Sequence, residues 1–483
     1  MTQTSAAAIA ANRFGLGARP GELARLEDPR GWLRSQLQAP PPAPAAAALP
    51  GSLEVMRGAA ELAANTRDIT AKGDEKAVDQ STPGTDSGAA QQAHQKLLAQ
   101  RLPRYFAPIH QADALARLQD AVATSQPFAE RLVQFWSNHF AVSVDKVAVL
   151  GLAGCLEKEA IRPNILGNFH ELLLSVEKHP AMLNFLDNAL SVGPASPLAA
   201  RAGQRRRQLG LNENLAREIL ELHTLGVDGG YTQTDVTQFA KVLTGWSVGG
   251  GRGLAVRLDD GAAPGSFDFR AMLHEPGPQT VVGRRYAQPG VAQGEAVLRD
   301  LAAAPQTARH LASKLARHFI ADDPPPAAVE RLAHAYMKTG GHLAAVYHAL
   351  IDSPEAWSTE LSKFKTPNDY LVSLYRGLDL PLPEGQRGPG ALTLLGQPTF
   401  RPGSPAGWPD RSADWDGSAA LLKRIELADT VAQRAGVARD ANALAPQLLG
   451  ATLSEATRTA IARADSPAQA LTLLLTAPEF MRR

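Results

Sequence analysis

The sequence predicts a mainly α-helical protein, a single multi-helical body with a small β-hairpin insertion and two low-complexity inserts. From Phe128 onward, apolar residues recur at the i, i+3 and i+4 spacing of amphipathic helices, and Gly and Pro interrupt this pattern. Strand-like alternation is confined to one region, residues 249–286. No segment recurs at a fixed spacing of roughly 20–50 residues, so a solenoid of repeats is not expected.

Composition and charge exclude several classes of protein. Of the 483 residues, 44% are apolar and 20% are charged, which is enough for a large core. The net charge of +1 argues against a nucleic-acid or anionic-membrane partner. The single cysteine, Cys155, excludes an internal disulfide framework and a cysteine-rich zinc site. The sequence contains no apolar run of about 18 residues, so a transmembrane helix is not expected. No secretory signal is visible, so we expect a cytoplasmic protein.

We treat residues 1–483 as one predominantly helical domain with three interruptions. Residues 40–92 begin with a Pro/Ala run and continue as a polar stretch, which buries too little apolar surface to offset its ordering entropy, so we expect its middle to be mobile. Residues 191–211 form a flexible insert with three consecutive arginines, which we interpret as a solvated face. Residues 249–286 contain the β-hairpin, and residues 388–415 are expected to form a long Pro/Gly/Trp loop.

Polar residues inside apolar helical faces are the most informative functional feature, because burying an unpaired polar group is costly. The helix predicted at 128–140 carries His139 in the middle of its apolar arc. Two interpretations stay open for it: a core histidine whose ring nitrogens have partners, and a metal ligand or general base held in an apolar pocket. The arc consists of Phe128, Leu132, Phe135, Trp136 and Phe140.

The helix predicted at 214–225 places Glu218 within its apolar arc. Asn214 and Glu221 lie at the edge of the same arc, four residues before Glu218 and three residues after it. A carboxylate in that position is paired with Arg or Lys, is bound to a metal, or has a raised pKa. The candidate ion-pair partners are Arg131, Lys314 and Arg317.

The helix predicted at 306–319 carries His310, Lys314 and His318 at intervals of four residues, beside its apolar face. This strip could present positive charge to an anion or to the carboxylates Glu218 and Glu221. An ordinary amphipathic helix with a basic flank explains the same pattern. The two histidines are about 12 Å apart along the axis, which is too far to bind one metal together.

A tight turn that contains Tyr231 follows the helix at 214–225. Immediately after it, Thr232 and Asp235 match a capping box with Asp in place of Glu, which predicts that a helix begins there and runs to Trp246.

Several blocks of the chain match the pattern of one bacterial family. The most specific block is Asn-Glu-Asn-Leu-Ala-Arg-Glu-Ile-Leu-Glu-Leu-His-Thr-Leu-Gly-Val at 212–227, followed by Gly-Tyr-Thr-Gln-Thr-Asp-Val at 230–236 and Leu-Thr-Gly-Trp at 243–246. Further matching blocks lie at 12–17, 135–140, 180–188, 314–319, 365–367, 395–398, 407–409 and 473–480. In these blocks the chain resembles the family known only as domain of unknown function 1800.

The resemblance covers nearly the whole chain outside the two polar inserts, and it implies a mostly helical fold without a settled activity. Members of this family often accompany a second uncharacterised family of sulfatase-like appearance. Many members are exported. The resemblance therefore implies a co-encoded sulfatase-like partner. It also implies a periplasmic or secreted location, as an alternative to the cytoplasmic location expected above.

The first functional hypothesis is a hydrolase-like enzyme with a polar pocket where three helices meet. Glu218 would be the general base or a metal ligand, and His139 would be its partner or a second ligand. Lys314 and His310 would supply positive charge to a substrate anion or a developing oxyanion. A divalent metal is compatible with these residues, but no ligand spacing requires one. The remaining candidates are Glu221 and Asn214 as orienting groups, and Tyr231, Asp187 and Asn188 as weaker substrate contacts.

The second hypothesis is a non-enzymatic assembly or chaperone-like partner of the sulfatase-like protein. In that case the polar groups form a buried network that fixes helix register, and the loop around Trp408 and Trp415 is the contact surface. Convergence of Glu218, His139 and Lys314 in an open cleft favours the enzyme, whereas mutual pairing in a sealed core favours the partner. The sequence does not predict an oligomeric state.

Overall fold

The computed structural model describes residues 3–78, 87–202, 210–250, 261–383, 385 and 387–483, and it confirms a mainly α-helical fold with a small β insertion. The helices before the strands are α1 (Gln3–Ile9), α2 (Glu22–Arg25), α3 (Pro29–Ser35), α4 (Pro44–Ala47), α5 (Ser52–Val78), α6 (Ser87–Ala123), α7 (Pro127–His139), α8 (Ala153–Cys155), α9 (Phe169–Glu177), α10 (Pro180–Phe185), α11 (Pro197–Ala202), α12 (Asn214–Glu218) and α13 (Gln233–Leu243).

The helices after the strands are α14 (Val291–Ala302), α15 (Pro305–Phe319), α16 (Pro326–Lys338), α17 (Leu343–Asp352), α18 (Pro367–Leu378), α19 (Arg387–Leu394), α20 (Ser418–Ala435), α21 (Ala441–Leu449), α22 (Glu455–Ala462), α23 (Pro467–Leu475) and α24 (Pro478–Met481). Segments of π-helix occur at Ala10–Phe14, Leu156–Ile161 and Ile219–His223. Short 3₁₀ turns occur at Arg162–Asn164, Asn188–Leu190, Pro354–Trp357, Ser412–Asp414, Gly436–Ala438 and Gly450–Thr452.

The β insertion consists of two separate antiparallel pairs in the described residues. Strand β1 (Trp246–Val248) pairs with β2 (Phe267–Phe269), and β3 (Gln279–Val281) pairs with β4 (Arg284–Tyr286). The pair β3–β4 confirms the small β-hairpin expected in residues 249–286, whereas the pair β1–β2 was not predicted. The partner of β2 is β1, which follows α13 and precedes the region of sequence alternation. The alternation alone therefore did not reveal this pairing.

The low-complexity segments contain more helix than the sequence suggested. Helix α5 covers residues 52–78, and helix α19 lies inside the stretch that was expected to be a continuous loop. The expected loop is wrong there because Leu392 of α19 packs into the core. Residues 79–86, 203–209 and 251–260 lie outside the described residues, so the expected mobility of the inserts stays a prediction.

The buried apolar residues form two large clusters. The first cluster extends from Ile9 to Trp357 along the chain and includes the apolar faces of α7, α9, α13, α15 and α17. The second cluster is built mainly from residues 364–481, on helices α18 to α24. Polar residues of α7 and α15 lie where the first cluster meets the beginning of the second, and this boundary is where the candidate site occurs.

Local sequence explains why α7 and α15 begin where they do and which faces they bury. Each begins with a proline at its first turn, where the missing N–H leaves no hydrogen bond unmade. Leu311, Leu315 and Phe319 form the buried face of α15, as the sequence predicted. Nowhere in the described part of the chain is a helix both long enough and apolar enough to span a membrane.

Candidate functional site

A cavity of about 370 Å³ lies at the boundary between the two apolar clusters. Its wall combines the end of α7 and the following segment, one turn of α15, the start of α18, and the segment from Leu392 to Asp414. The wall is partly aromatic, through Phe135, Phe140, Phe400 and Trp408. The polar wall residues are Arg117, Gln134, Ser137, Asn138, His139, Lys314, Arg317, His318, Thr366, Asn368, Asp369, Gln397, Thr399, Asp410, Arg411 and Asp414.

Lys314 is the cavity-lining cation with the fewest contacts. In the described structure its ammonium group has no hydrogen bond and no ion pair within 4.0 Å. Burial lowers the pKa of Lys314 to about 8, with Arg317 acting in the same direction and Asp410 opposing it. At neutral pH the side chain is therefore still mostly protonated, and its positive charge favours a ligand with a group that accepts a hydrogen bond.

His318 and Asp410 form a hydrogen-bonded pair in the cavity wall. The His318 Nδ1 atom lies 3.1 Å from Asp410 Oδ2, and His318 Nε2 is buried without a partner among the described residues. Burial lowers the pKa of His318, although Asp410 acts against this shift, so the imidazole is neutral at pH 7. An ionised carboxylate only accepts hydrogen bonds, so Nδ1 carries the proton and Nε2 carries a lone pair.

Asp410 is held ionised by its surroundings. Burial alone would raise the pKa of Asp410, but His318, Lys363 and Arg483 hold it well below its usual range. The Lys363 ammonium lies 3.6 Å from Asp410 Oδ1, and the Arg483 guanidinium lies 4.0 Å from it. Arg483 also donates a 2.7 Å hydrogen bond to the His318 carbonyl oxygen. One guanidinium group thus contacts both the His318 backbone and the Asp410 carboxylate.

His139 enters the same wall from α7. Its Nε2 atom lies 3.2 Å from the carbonyl oxygen of His223, which can only accept, so the proton is on Nε2. His139 Nδ1 is buried and has no partner in the described chain. Burial and the neighbouring Lys314 hold the pKa of His139 well below its usual value. His139 is therefore a neutral imidazole with an unused acceptor atom.

Asn138 connects α7 to the loop that closes the other side of the cavity. Its side-chain amide donates to the Trp408 carbonyl oxygen at 2.9 Å and accepts from the Trp408 backbone N–H at 2.7 Å. Gly407 precedes this clamp with φ +82, and a Cβ atom there would lie 2.3 Å from the Asn138 carbonyl oxygen. Only glycine fits this close approach, which explains the Gly-Trp-Pro sequence at 407–409.

The structure brings some of the predicted site residues together and separates others. Lys314 and His139 both line the cavity, whereas Glu218 is not part of its described wall. Glu218 is half-buried, and burial together with Glu221 raises its pKa. His223 connects the two regions: its carbonyl oxygen contacts His139, and its imidazole opposes the rise in the pKa of Glu218.

The remaining predicted residues lie outside the described cavity wall, and most have partners of their own. Glu221 lies 3.5 Å from Arg217, and Asp187 lies 2.5 Å from Lys146. Burial and the neighbouring Glu221 raise the pKa of Tyr231 to about 12. The other contacts are His310 Nε2 to the Leu222 carbonyl oxygen at 3.0 Å, and Asn188 Nδ2 to the carbonyl oxygens of Leu243 and Trp246, while Asn214 is exposed.

Three imidazole–carboxylate pairs were missed by sequence reasoning, and one of them, His179 Nε2 with Glu159 at 3.2 Å, lies outside the described cavity wall. The His318–Asp410 pair joins residues 92 positions apart, and the buried His223–Glu177 pair joins residues 46 positions apart at 2.8 Å. The sequence had already identified His318 by its spacing of four residues from Lys314, but not its carboxylate partner. No local pattern in the sequence distinguishes Asp410 or Glu177 from other carboxylates.

The loop tryptophans do not form the exposed surface that the sequence suggested. Trp415 is only 7% exposed and donates to the Pro409 carbonyl oxygen, and Trp408 lines the cavity. The expectation that both aromatic rings are free for a partner is wrong for Trp415. Across the described residues, no group of three or more His, Cys, Asp or Glu side chains is arranged to hold a metal ion.

Comparison with known proteins gives one match. The model of the family described as "Protein of unknown function (DUF1800)" matches residues 9–482 of the chain. No curated protein and no solved structure matches.

Proposed function

Since the chain belongs to the DUF1800 family of proteins of unknown function, we propose its function from the chemistry of the cavity: it is a hydrolytic enzyme whose acid–base group is His318, held by Asp410. One observation carries the proposal. His318 is a residue of the cavity wall, its buried Nε2 atom has no partner among the described residues, and an ionised carboxylate fixes its other nitrogen.

The geometry supports a simple proton cycle. The neutral His318 Nε2 atom accepts a proton from a water molecule as the water oxygen attacks the substrate. Asp410 stabilises the imidazolium that forms, and the proton is then delivered to the leaving group as its bond to the substrate breaks. Lys314 lies in the same cavity and would stabilise negative charge that develops on the substrate. Water is consumed, no oxidant is needed, and the imidazole returns to its neutral form.

The volume and lining of the cavity support a small-molecule substrate. A volume of about 370 Å³ lies within the range of about 300–1,000 Å³ that is usual for ligand pockets. The combination of aromatic walls with a few convergent polar groups is also typical of such pockets.

A His318→Asn variant tests the proposal. Purified protein is screened against 4-nitrophenyl acetate, phosphate, sulfate and glycosides, and the released 4-nitrophenolate is measured. For any ester that is turned over, we expect His318→Asn to lower kcat by about 10²–10⁴-fold with an unchanged melting temperature. His334→Asn, at an exposed position on α16, is the matched control and should retain the wild-type rate. A wild-type rate in the His318→Asn protein would contradict the proposal.

The general-base role predicted for Glu218 stays a prediction, and the same assay tests it. Under our proposal Glu218→Gln has little effect, because its carboxylate is outside the described cavity wall. A loss as large as that of His318→Asn would instead assign the base to Glu218.

A second proposal, a non-enzymatic partner of a co-encoded sulfatase-like protein, has one supporting observation. Leu422 and Ile425, one turn apart on α20, are 57% and 44% exposed, and a bound partner would cover this pair. Co-purification of the two proteins that is lost in a Leu422→Asp, Ile425→Asp variant would support it.

A further inference from the structure

We infer that the cavity binds an organic anion, a carboxylate or a phosphate or sulfate ester, with its charged group against Lys314 and Arg317 and its body against the aromatic wall. This inference rests on the proposed function only in treating the anion as the substrate. The binding itself is argued below from charge balance, from unpartnered polar atoms and from volume.

Next to the cavity, buried or half-buried carboxylates form an ion-paired network with buried cations. Asp369 lies 3.0 Å from Arg131 and 3.1 Å from Arg483, and Asp322 lies 2.6 Å from Lys363. With Asp410, which is near both Lys363 and Arg483, three carboxylates face three cations. These six groups are neutral together without any contribution from Lys314 or Arg317, and the buried cations Lys365 and Arg424 add further positive charge near Asp369.

Lys314 and Arg317 are therefore positive charges in excess of that network. Arg317 uses its Nε atom to donate to the Asp322 carbonyl oxygen at 3.2 Å, and it has no carboxylate within 4.0 Å in the described chain. The other cations of the wall are already paired, Arg117 with Glu157 at 2.7 Å and Arg411 with Asp323 at 2.9 Å. Asp414, the remaining carboxylate of the wall, is exposed to solvent. A partly desolvated cation needs a counter-charge, and Asp410, which acts on Lys314 from beyond 4.0 Å, already faces Lys363 and Arg483.

Unpartnered buried polar atoms are concentrated around the same space. Buried polar groups normally have hydrogen-bond partners, so atoms without one in the protein indicate a ligand or ordered water. Gln134 is 9% exposed and Asn368 is 8% exposed, and each uses one end of its amide in a 3.0 Å hydrogen bond to the other. The atoms of wall residues without a hydrogen-bond partner are Gln134 Nε2, Asn368 Oδ1, Thr399 Oγ1, His139 Nδ1, His318 Nε2 and Asp369 Oδ2, the last of which lies in an ion pair 3.1 Å from Arg483.

The size of the cavity selects an organic anion over a free inorganic one. One water molecule occupies about 30 Å³ of liquid volume, so a tetrahedral oxyanion would fill only a small part of about 370 Å³. Phe135, Phe400 and Trp408 cover the rest of the wall with apolar surface. A ligand with an anionic end and a larger body matches both the charge and the lining.

Calorimetric titration with three small probes tests the inference on the whole chain at pH 7. The probes are phenyl phosphate, phenyl sulfate and benzoate, and benzamide is the neutral control. We expect at least one anion to bind about tenfold more tightly than benzamide, and the anion that binds most tightly identifies the head group. Equal binding of benzamide and all three anions would overturn the inference.

Two variants locate the binding site. Lys314→Met keeps the length of the side chain and removes its charge, and Arg317→Gln changes a more peripheral cation, so the test survives if either variant fails to fold. Each folded variant should bind the preferred probe at least about tenfold more weakly. Lys338→Met, at an exposed position on α16, is the control and should bind as the wild type does. Unchanged affinity in both cavity variants would overturn the inference.

The outcome also separates this inference from the proposed function. Anion binding that depends on Lys314, in a protein whose ester hydrolysis does not depend on His318, would leave the inference standing and remove the hydrolase. Hydrolysis of neutral esters that depends on His318, without Lys314-dependent binding, would do the reverse.

Discussion

Three buried or half-buried histidines near the cavity have their ring protons fixed by partners that can only accept. His139 faces the carbonyl oxygen of His223 and His318 faces the Asp410 carboxylate, while His223 itself lies 2.8 Å from Glu177. These partners decide which ring nitrogen keeps a lone pair. For His139 and His318 that nitrogen belongs to a residue of the cavity wall, which is why we assign chemistry to these two imidazoles.

The sequence identified the polar residues at this scale better than their roles. His139 and Lys314 were selected because they interrupt or adjoin apolar helical faces, and both line the cavity. Glu218 was selected on the same ground, but the charged groups that act on its carboxylate are His223, Glu221 and Arg217, which are not residues of the described cavity wall. A pattern within one helix shows that a polar group is near the core, whereas the group it meets depends on tertiary contacts.

The buried side chain of Lys365 should make the stability of the protein depend on pH. It is 2% exposed, it donates to Ser373 Oγ at 3.1 Å, and burial lowers its pKa to about 7 from an ordinary value of 10.5. Between these values the unfolded chain binds the proton more tightly than the folded chain, so stability rises as pH increases from about 7 toward 9.

We expect Lys365→Met to remove much of this rise, because methionine cannot be protonated. Melting temperatures at pH 7, 8 and 9 measure it, with Lys338→Met as the exposed control. The same slope in Lys365→Met and in the wild type would show that Lys365 is not the group responsible.

At the scale of elements, the periodic pattern predicted α15 and the beginning of α13 correctly. The Thr232–Asp235 capping box is present, although α13 ends at Leu243 rather than at Trp246. The helix that carries Glu218 differs from the prediction, because it changes to a π-helix over Ile219–His223. A π turn holds an extra residue, so side chains beyond it rotate away from the arc that a 3.6-residue period predicts. Sequence periodicity contained no sign of this change.

Removing the capping box should destabilise the protein measurably. The Asp235 carboxylate accepts from the Thr232 N–H at 2.8 Å and from the Val282 N–H at 2.7 Å, so it ties α13 to the turn between β3 and β4. We expect Thr232→Ala to lower the free energy of unfolding by about 1 kcal/mol, and Asp235→Ala to lower it further. Urea denaturation measures both. Ser313→Ala, within α15, is the control, and an equal effect in all three variants would contradict the capping explanation.

For the whole molecule, the sequence predicted the fold class but not the place where the cavity forms. The mainly helical body follows from periodicity, which each segment expresses locally. The cavity instead depends on pairs such as Asn138 with Trp408, which are 270 positions apart in the sequence. No single segment indicates such a pair, so the contribution of residues 392–414 to the wall appeared only in the folded structure.

Arg483 belongs to the ion-paired network beside the cavity, and its removal should affect stability strongly. It is fully buried and lies 3.1 Å from Asp369, which α18 places beside α7 and α15. We expect Arg483→Gln to lower the free energy of unfolding by about 3–5 kcal/mol, because it leaves buried carboxylates with too little positive charge. Urea denaturation provides the measurement, and Arg463→Gln, at an exposed position, should change it little. A loss of unfolding free energy no larger than that of Arg463→Gln would mean that the ion pairs of Arg483 do not stabilise the folded protein.

The pH dependence of kcat/KM for an ester that the protein hydrolyses tests the central claim most directly. Deprotonation of Lys314, whose pKa is about 8, should lower the wild-type rate at alkaline pH. Since burial lowers the pKa of His318, the rate should also decrease on the acid side below pH 6.5, as the imidazole becomes protonated. His318→Asn should remove this decrease along with most of the activity, whereas His334→Asn should preserve both. An identical profile and rate in the His318→Asn protein would contradict the assignment of His318 as the acid–base group.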